Sequence, residues 1–216
     1  MRVLQKIKHK SYRTIKKNLF FGKLKRNIQK KTSQFSYPYK IHLGCGKVKF
    51  SNWINIDLDK SISAADFVWD LTYGIPFDDC SCQSIYCEHL LEHFTAEQGV
   101  SLLRECRRVL KPEGILRVAM PSLDVLIEKS ASGNWQDQDW LNWPEYRFIQ
   151  TRAEMLNIAF KNWGHKWLYD REELHRRLSE AGFTRVEDVE WGKSDSIELR
   201  NRETRLDSLL ICEAQK

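Results

Sequence analysis

A short apolar run that ends in two glycines one residue apart is the feature that most constrains the fold of this chain. The run is Lys40–Leu43, and Gly44 and Gly46 follow it. A second apolar run, Trp53–Ile56, ends at Asp57. Glycine at the end of a strand lets the backbone approach a ligand closely, because no Cβ intervenes and positive φ is allowed. A carboxylate that ends the next strand can accept hydrogen bonds from ribose hydroxyls, so the two runs predict a nucleoside site.

The spacing of the glycines indicates whether the ligand is a dinucleotide or a nucleoside without a pyrophosphate. A dinucleotide fingerprint needs a third glycine that packs a helix against the strand, and Lys49 occupies that position. A bulky side chain there disfavours a pyrophosphate seated on a close-packed helix start. S-adenosylmethionine (SAM) carries ribose and adenine without a phosphate, so it needs only the turn. A glycine turn in another kind of α/β protein stays an alternative at this point.

Four segments carry a family resemblance. The Leu43–Gly46 segment resembles the first motif of class I SAM-dependent methyltransferases, and residues 88–93 (EHLLEH) resemble the motif after their fourth strand. Residues 108–121 (RVLKPEGILRVAMP) resemble their segment between the fourth and fifth strands. Residues 53–57 (WINID) resemble an element of a compact, methyltransferase type 11-like branch of predicted bacterial enzymes. The resemblance covers residues 38–215.

The resemblance implies an α/β fold. It is a Rossmann-like, seven-stranded, mostly parallel sheet with helices on both faces, a reversed last strand and a Trp-rich insert after strand five. Thirteen residues separate Gly44 from Asp57, and thirteen more separate Asp57 from Asp70. A crossover helix needs more room, so we expect loops there. The predicted domains are a basic extension at residues 1–37 and a methyltransferase domain at residues 38–216.

The insert at residues 122–168 holds five of the eight tryptophans. An insert after the fifth strand of this fold lies above the ligand crevice, so we predict that it is a lid or forms an acceptor pocket. An ordinary helical subdomain with aromatic packing is compatible with the same pattern.

SAM is the cofactor that the resemblance implies. In the family, the carboxylate at Asp57 contacts the ribose and an acidic residue at the position of Asp70 faces the adenine amino group. The cofactor-binding residues carried over in this way are Gly44, Cys45, Gly46, Asp57, Asp70, Leu71 and Glu88. The chain departs from the family at His42, where an acidic residue is common.

Three histidines are candidates for catalysis. His89 and His93 are four residues apart, so both can lie on one face of a helix, and His165 lies where the insert rejoins the core. Histidine titrates near neutral pH, which suits orientation of an acceptor or removal of its proton. We prefer His89, because it is closest to the end of the strand. Capping of helices and hydrogen bonding to the backbone are the alternative roles.

No metal site is predicted. Cys80, Cys82, Cys87, His89 and His93 are close in sequence, but their spacing matches none of the usual zinc motifs. The six cysteines show no disulfide framework either, which indicates a reducing compartment.

Charge is distributed unevenly along the chain. Residues 1–39 contain twelve Lys and Arg residues and no acidic residue, so the remaining 23 basic and 29 acidic residues leave the body at −6. A basic segment with loosely helical apolar spacing can lie on an anionic membrane or on nucleic acid, or it can be a solvated extension. The acidic body favours a small-molecule, lipid or glycan acceptor over nucleic acid. We expect a cytoplasmic protein with possible peripheral membrane contact through residues 1–37, because no apolar run near the N-terminus is long enough to span a bilayer.

The function predicted from these features is transfer of the SAM methyl group to an oxygen or nitrogen acceptor. Three alternatives stay open. The first is an RNA methyltransferase guided by the basic tail, although no Asn-Pro-Pro-Tyr-like motif follows the fourth strand. The second is a nucleotide-dependent sugar-modifying enzyme, which the missing third glycine disfavours. The third is a non-catalytic binding module with the SAM fold, which the carboxylates at Asp57 and Asp70 disfavour.

Overall fold

Seven strands form one sheet in the computed structural model, which describes residues 26–28, 30–62 and 64–216. In chain order the strands are β1 (Tyr39–Leu43), β2 (Ile54–Asp57), β3 (Phe67–Val68), β4 (Cys82–Glu88), β5 (Leu110–Met120), β6 (Arg185–Asp188) and β7 (Leu210–Gln215). Their order across the sheet is β3-β2-β1-β4-β5-β7-β6. Strands β1 to β5 pair in parallel, whereas β7 is antiparallel to both β5 and β6. The predicted mostly parallel sheet with a reversed last strand is confirmed.

Among the described residues, four longer helices lie between residues 96 and 180. They are α1 (Ala96–Val109), α2 (Leu123–Ser132), α3 (Arg152–Lys161) and α4 (Arg171–Glu180). A capping box starts α1, because Thr95 Oγ1 accepts from the Gln98 amide and the Gln98 side chain accepts from the Thr95 amide. Such caps satisfy amides that the first helical turn leaves without a partner. Loops connect β1 to β2 and β2 to β3, as the short spacings predicted. No helix in the described ranges is long and apolar enough to cross a membrane.

Alternate residues of the central strands build the main core on one face of the sheet. Ile41 and Leu43 of β1 are fully buried and lie in register with Ile54 and Ile56 of β2. The inner sides of α1 and α4 join the same cluster, through Leu102, Leu103, Cys106, Leu174 and Leu178. Side chains that alternate along a strand point to opposite faces, so these two helices cover one face only.

Loops cover the opposite face of the sheet. There, His42 of β1 stacks on Phe50 with the ring centroids 4.2 Å apart, and its Nδ1 lies 3.3 Å from Asn55 Oδ1. Tyr86 of β4 and Leu199 complete a buried cluster on this side. Loop residues with large aromatic side chains pack against this face beside β1 and β4. Burial lowers the pKa of His42 to about 4, which agrees with a packing role for this departure from the family pattern.

Part of the N-terminal extension belongs to the core. Residues 1–25 lie outside the described residues, and with them most of the basic tail. Residues 26–28 and 30–32 are helical, and Ile28 is only 3% exposed within the main core cluster. Thr32 is buried, and Phe35 packs against the same cluster. The boundary at residue 37 stays a prediction, and Ile28 and Phe35, which precede it, pack with the main core cluster.

The Trp-rich insert has a small core of its own. Trp140, Tyr146 and Met155 are buried together in a cluster that also includes residues of α2 and α3. The ring of Trp140 meets Tyr146 at 5.6 Å and Trp163 at 5.2 Å, both nearly edge to face. Aromatic pairs prefer this arrangement, so the insert is a packed unit and can present a defined surface.

Candidate functional site

The glycine turn after β1 has the conformation that its sequence predicts. Gly44 and Gly46 have φ values of +64° and +53°, in the left-handed region that favours glycine. A Cβ on Gly44 would lie 2.8 Å from Leu90 Cδ1, so this position also needs glycine for packing. A Cβ on Gly46 would meet no atom within 4 Å. The turn is therefore packed against the segment after β4 on one side and has open space at Gly46.

Asp57 stands at the end of β2, directly beside this turn. Its Oδ2 accepts from the Gly46 amide at 2.8 Å, and its Oδ1 accepts from the Asp59 amide at 3.0 Å. Each carboxylate oxygen can accept a further hydrogen bond, so both stay available to ribose hydroxyls. The neighbouring Leu58 is 65% exposed, and the sequence analysis missed it. The sequence signal for Leu58 was an apolar side chain directly after a strand-end carboxylate, because such a side chain offers a surface that the adenine ring can cover.

The strand ends bring Asp70 close to Asp57. The Trp69 amide donates to the Asp57 carbonyl at 2.8 Å, and Asp70 follows at once. Asp70 Oδ1 accepts from the amide and hydroxyl of Thr72 and caps a short 3₁₀ turn. Leu71 is largely buried in the main core. A contact of Leu71 with the cofactor stays a prediction, and its packing role is evident.

Cys45 contributes to the turn mainly through its backbone. Its amide donates to the Ile56 carbonyl at 3.0 Å, which ties the end of β1 to β2. The side chain is 3% exposed, and burial raises the pKa of the thiol to about 12. At neutral pH it is therefore an unreactive thiol.

The structure assigns the Glu88 side chain to a different role from the predicted one. Its carboxylate accepts from the amide and hydroxyl of Thr204, the amide of Arg205 and the hydroxyl of Ser208, at distances from 2.6 to 3.1 Å. These bonds hold the loop before β7 against the end of β4. Contact of Glu88 with the cofactor stays a prediction, and the loop already uses both of its carboxylate oxygens.

The residues at the ends of β1, β2 and β3 fit an adenosyl cofactor. The turn leaves open space at Gly46, and Asp57 offers two acceptor oxygens beside it. Leu58 provides an exposed apolar surface, and Asp70 adds a carboxylate at the same edge. A bulky Lys49 stands where a pyrophosphate-binding fold has glycine, and its Nζ pairs with Asp66 at 2.7 Å. The donor and acceptor set thus suits ribose and adenine without a pyrophosphate.

The three candidate histidines meet at one cavity of about 380 Å³. His89 follows β4, and the next residue, Leu90, packs on Gly44, so the cavity lies close to the glycine turn. The rings of His93 and His165 are 5.2 Å apart. Insert residues complete the lining, among them Ser122, Leu126, Trp140, Trp143 and Trp163. The insert therefore forms a wall of this cavity, beside the carboxyl ends of β4 and β5.

Burial keeps the histidines neutral. It lowers the pKa of His89 to about 3, with a further lowering by the charge of Arg205. It also lowers the pKa of His93 and of His165. A group with a pKa of about 3 is a weak base at neutral pH. This argues against the preference for His89 and favours His93 or His165 for contact with an acceptor proton.

Two acidic residues at this site were missed. Glu92 is 1% exposed, and burial raises its pKa to about 7. Its Oε1 lies 3.7 Å from His89 Nδ1, and Asp207 Oδ1 lies 3.5 Å from His89 Nε2. The position of Glu92 between His89 and His93 in the sequence was a local signal that it belongs to the same site. Asp207 comes from the loop before β7, and no local pattern connects it with β4.

Comparison with known proteins agrees with this geometry. Residues 41–118 match the family model described as "Methyltransferase domain". No curated protein sequence matches this chain.

Solved structures with low sequence identity can be superposed on most of the chain. A SAM-dependent methyltransferase from Archaeoglobus fulgidus is 15% identical, with 93% of this chain and 94% of that chain covered and a TM-score of 0.51. A SAM-dependent methyltransferase from Thermotoga maritima, described as a possible histamine N-methyltransferase, is 14% identical, with coverages of 84% and 83% and a TM-score of 0.48. YcgJ from Bacillus subtilis is 14% identical, with coverages of 89% and 97% and a TM-score of 0.48.

The family match covers the segment that builds the glycine turn, Asp57 and the histidine motif after β4. The strand order and the reversed β7 extend the agreement to the whole sheet. Residues 41–118 therefore match a methyltransferase domain, and the chain shares the fold of a SAM-dependent methyltransferase.

Proposed function

We propose that this enzyme transfers the SAM methyl group to a hydroxyl or amino group of a small molecule, a lipid headgroup or a glycan. The observation that carries the proposal is the histidine-lined cavity of about 380 Å³ beside the glycine turn. Small-molecule sites are concave and mostly apolar, with a few convergent polar groups, and typically measure about 300–1,000 Å³. A cavity of this size accepts a small acceptor or the end of a larger one.

The lining of the cavity suggests an acceptor with one polar and one apolar side. His89, His93 and Asp207 provide the polar side. Trp143 and Leu206 line the cavity too, and they are 43% and 72% exposed. Exposed apolar side chains at a cavity rim can cover a sugar face or a lipid chain, which supports a glycan or lipid acceptor.

The chemical demand on the protein is modest. SAM, when bound, supplies a methyl group that is already electrophilic, so most of the rate gain comes from holding the acceptor in line with it. A base is needed only where the acceptor must lose a proton. His165 is hydrogen bonded through Nδ1 to the Ala159 carbonyl at 3.0 Å, which orients its ring within the wall of the cavity.

His165→Gln is expected to lower turnover by at least about tenfold while SAM affinity stays unchanged, because the substitution removes a group that orients or deprotonates the acceptor. Turnover is measured by mass spectrometry of products after incubation with labelled SAM and lipid, glycan and metabolite extracts. His175→Gln is the matched control, since His175 lies on α4 outside the cavity lining and should keep full activity. Equal turnover in both variants would leave His165 with a structural role only.

The basic tail is proposed to hold the enzyme on anionic membranes. This proposal is supported by the twelve positive charges in residues 1–39 and by the exposed apolar rim of the cavity. Near an anionic surface each Lys or Arg contributes roughly 1 kcal/mol.

Deletion of residues 1–25 is expected to abolish salt-sensitive binding to anionic vesicles and to leave SAM affinity and thermal stability nearly unchanged. Ile28→Ala in the full chain should do the reverse, because a buried Ile→Ala change costs about 2–5 kcal/mol of folding free energy. Vesicle sedimentation and thermal unfolding separate the two effects. Vesicle binding that survives the deletion would refute the membrane role. A deletion that abolishes binding to RNA and leaves vesicle binding unchanged would also refute it.

A further inference from the structure

A buried carboxylate without a hydrogen-bond partner in the described residues lies next to His93 and His165. Glu92 is 1% exposed, and within the described part of the chain neither of its carboxylate oxygens has a hydrogen-bond partner in another residue. Its backbone carbonyl accepts from the amides of Lys166 at 2.8 Å and Trp167 at 3.2 Å. These two bonds attach the end of the insert to the turn after β4 and bring His165 beside Glu92. A buried carboxylate is costly unless a cation or hydrogen-bond donors compensate it.

The side chains of Glu92, His93 and His165 converge. Each offers one ligand atom, and the three atoms lie within 4.8 Å of one another. His165 Nδ1 lies 3.0 Å from the Ala159 carbonyl oxygen, and a Cβ on Gly164 would lie 3.7 Å from His93 Nδ1. Metal-ligating histidines characteristically donate their other ring N–H to a carbonyl or carboxylate, which fixes the tautomer and the ring orientation. His165 therefore already has the outer contact that a ligand needs, and the backbone of Gly164 lies beside the ring of His93.

We propose that Glu92, His93 and His165 bind one divalent transition-metal ion, such as Zn²⁺, Co²⁺ or Mn²⁺, in the wall of the acceptor cavity. Two imidazoles and one carboxylate form the ligand set of sites that keep open coordination positions. Mg²⁺ and Ca²⁺ prefer oxygen ligands, so this set disfavours them. His93 and His165 line the cavity, so the open positions face the space where an acceptor binds.

The ion also gives the proposed function a specific route to a hydroxyl acceptor. A bound transition metal lowers the pKa of an oxygen that it coordinates, so the acceptor hydroxyl could lose its proton to solvent at neutral pH. This role rests on the proposed function, whereas binding of the ion does not. These ligands differ from the cysteines and histidines that are close in sequence at residues 80–93, of which Cys82 and Cys87 lie in the main core.

A second trio provides a contrast within the same chain. His175, Asp188 and Cys212 also offer ligand atoms within 4.8 Å of one another. There, however, Asp188 Oδ1 accepts from His175 Nε2 at 2.8 Å and from Cys212 Sγ at 3.0 Å, and Arg171 Nε lies 3.0 Å from Oδ2. The carboxylate already has its partners and a positive charge, so a cation is not needed. This trio supplies the matched control.

The test measures metal binding by the full chain in the absence of SAM and acceptor. Chelator-treated protein is dialysed against Zn²⁺ or Co²⁺, with Mg²⁺ as a parallel arm, and bound metal is counted by elemental analysis. One Zn²⁺ or Co²⁺ per chain is expected. Mutation of a residue that only hydrogen bonds a metal ligand typically costs about 10–100-fold in metal affinity. Loss of a ligand itself should therefore weaken binding by at least about tenfold, in Glu92→Gln, His93→Gln and His165→Gln. His175→Gln should bind as the parent does.

The Co²⁺ absorption spectrum gives a second readout that does not depend on activity. A spectrum of nitrogen and oxygen ligation that disappears in His93→Gln and in His165→Gln supports the site, provided that both variants keep the parent's circular dichroism. A thiolate charge-transfer band, or loss of binding in His175→Gln, would assign the ion to the second trio and overturn the proposal. Absence of stoichiometric Zn²⁺ and Co²⁺ binding, or binding of Mg²⁺ alone, would overturn it too. A protein that binds the ion but methylates nothing would contradict the proposed function and leave the metal site standing.

Discussion

Replacing Asp57 by Ala is expected to weaken SAM binding by at least about a hundredfold. The carboxylate has room for one more hydrogen bond on each oxygen beyond those from the amides of Gly46 and Asp59. Hydrogen bonds to a charged group contribute about 1.5–3 kcal/mol each, so the loss of two ribose bonds costs roughly 3–6 kcal/mol. Isothermal titration calorimetry with SAM and S-adenosylhomocysteine measures the change directly.

Two controls make this result interpretable. Asp59→Ala removes an exposed carboxylate from the same loop and should leave SAM affinity unchanged, because this carboxylate accepts from the Ser61 amide and points to its own loop. Titration with NAD and NADP should show no binding to the parent protein, since Lys49 occupies the third-glycine position. SAM affinity that is the same in a folded Asp57→Ala protein would refute the ribose assignment.

Arg117→Met is expected to destabilise the fold by about 3–5 kcal/mol, because it leaves a buried charge without its partner. Arg117 lies on β5 with a fully buried side chain. Its Nε donates to Glu203 at 2.6 Å, and its Nη1 donates to Glu213 and to the Lys193 carbonyl at 2.7 and 2.6 Å. Glu203 is equally buried, and its second oxygen accepts from the Gly192 amide at 3.0 Å. Without Arg117, the carboxylate of Glu203 is the uncompensated charge.

Urea unfolding measures this effect as a shift of the midpoint at constant slope. Arg185→Met is the matched control, because Arg185 makes an exposed ion pair with Glu187 on the neighbouring part of the sheet. Exposed pairs contribute little, so its midpoint should move hardly at all. In the double variant Arg117→Met with Glu203→Leu, much of the lost stability should return, because both buried charges are then absent. Equal midpoints for Arg117→Met and the parent would contradict the importance of this ion pair.

Local signals in the sequence were sufficient to predict the glycine turn and the carboxylate beside it. Gly44 and Gly46 need positive φ, and Asp57 follows the next strand, so three residues within one loop already indicated a nucleoside site. The capping box at Thr95 and the apolar spacing that follows it predicted α1. These features depend on neighbours close in sequence, where a single chain carries enough information.

The acceptor side depends on contacts between distant segments. The Glu88 carboxylate was predicted to contact the cofactor, yet it holds Thr204 and Ser208, which are more than a hundred residues away. The same loop brings Asp207 to His89. Since the pattern around Glu88 is compatible with either role, only the folded arrangement could decide between them.

The sequence by itself determined that this chain forms a mostly parallel α/β sheet with a glycine turn after β1 and a carboxylate at the end of β2, because backbone geometry and strand ends are local properties. Tertiary structure alone decided the other features. It covered one face of the sheet with loops around His42, and it placed the buried Glu92 beside His165 of the insert. Burial and the absence of a hydrogen-bond partner are properties of the packed chain. They arise from segments that meet only on folding, so no spacing along the sequence contains them.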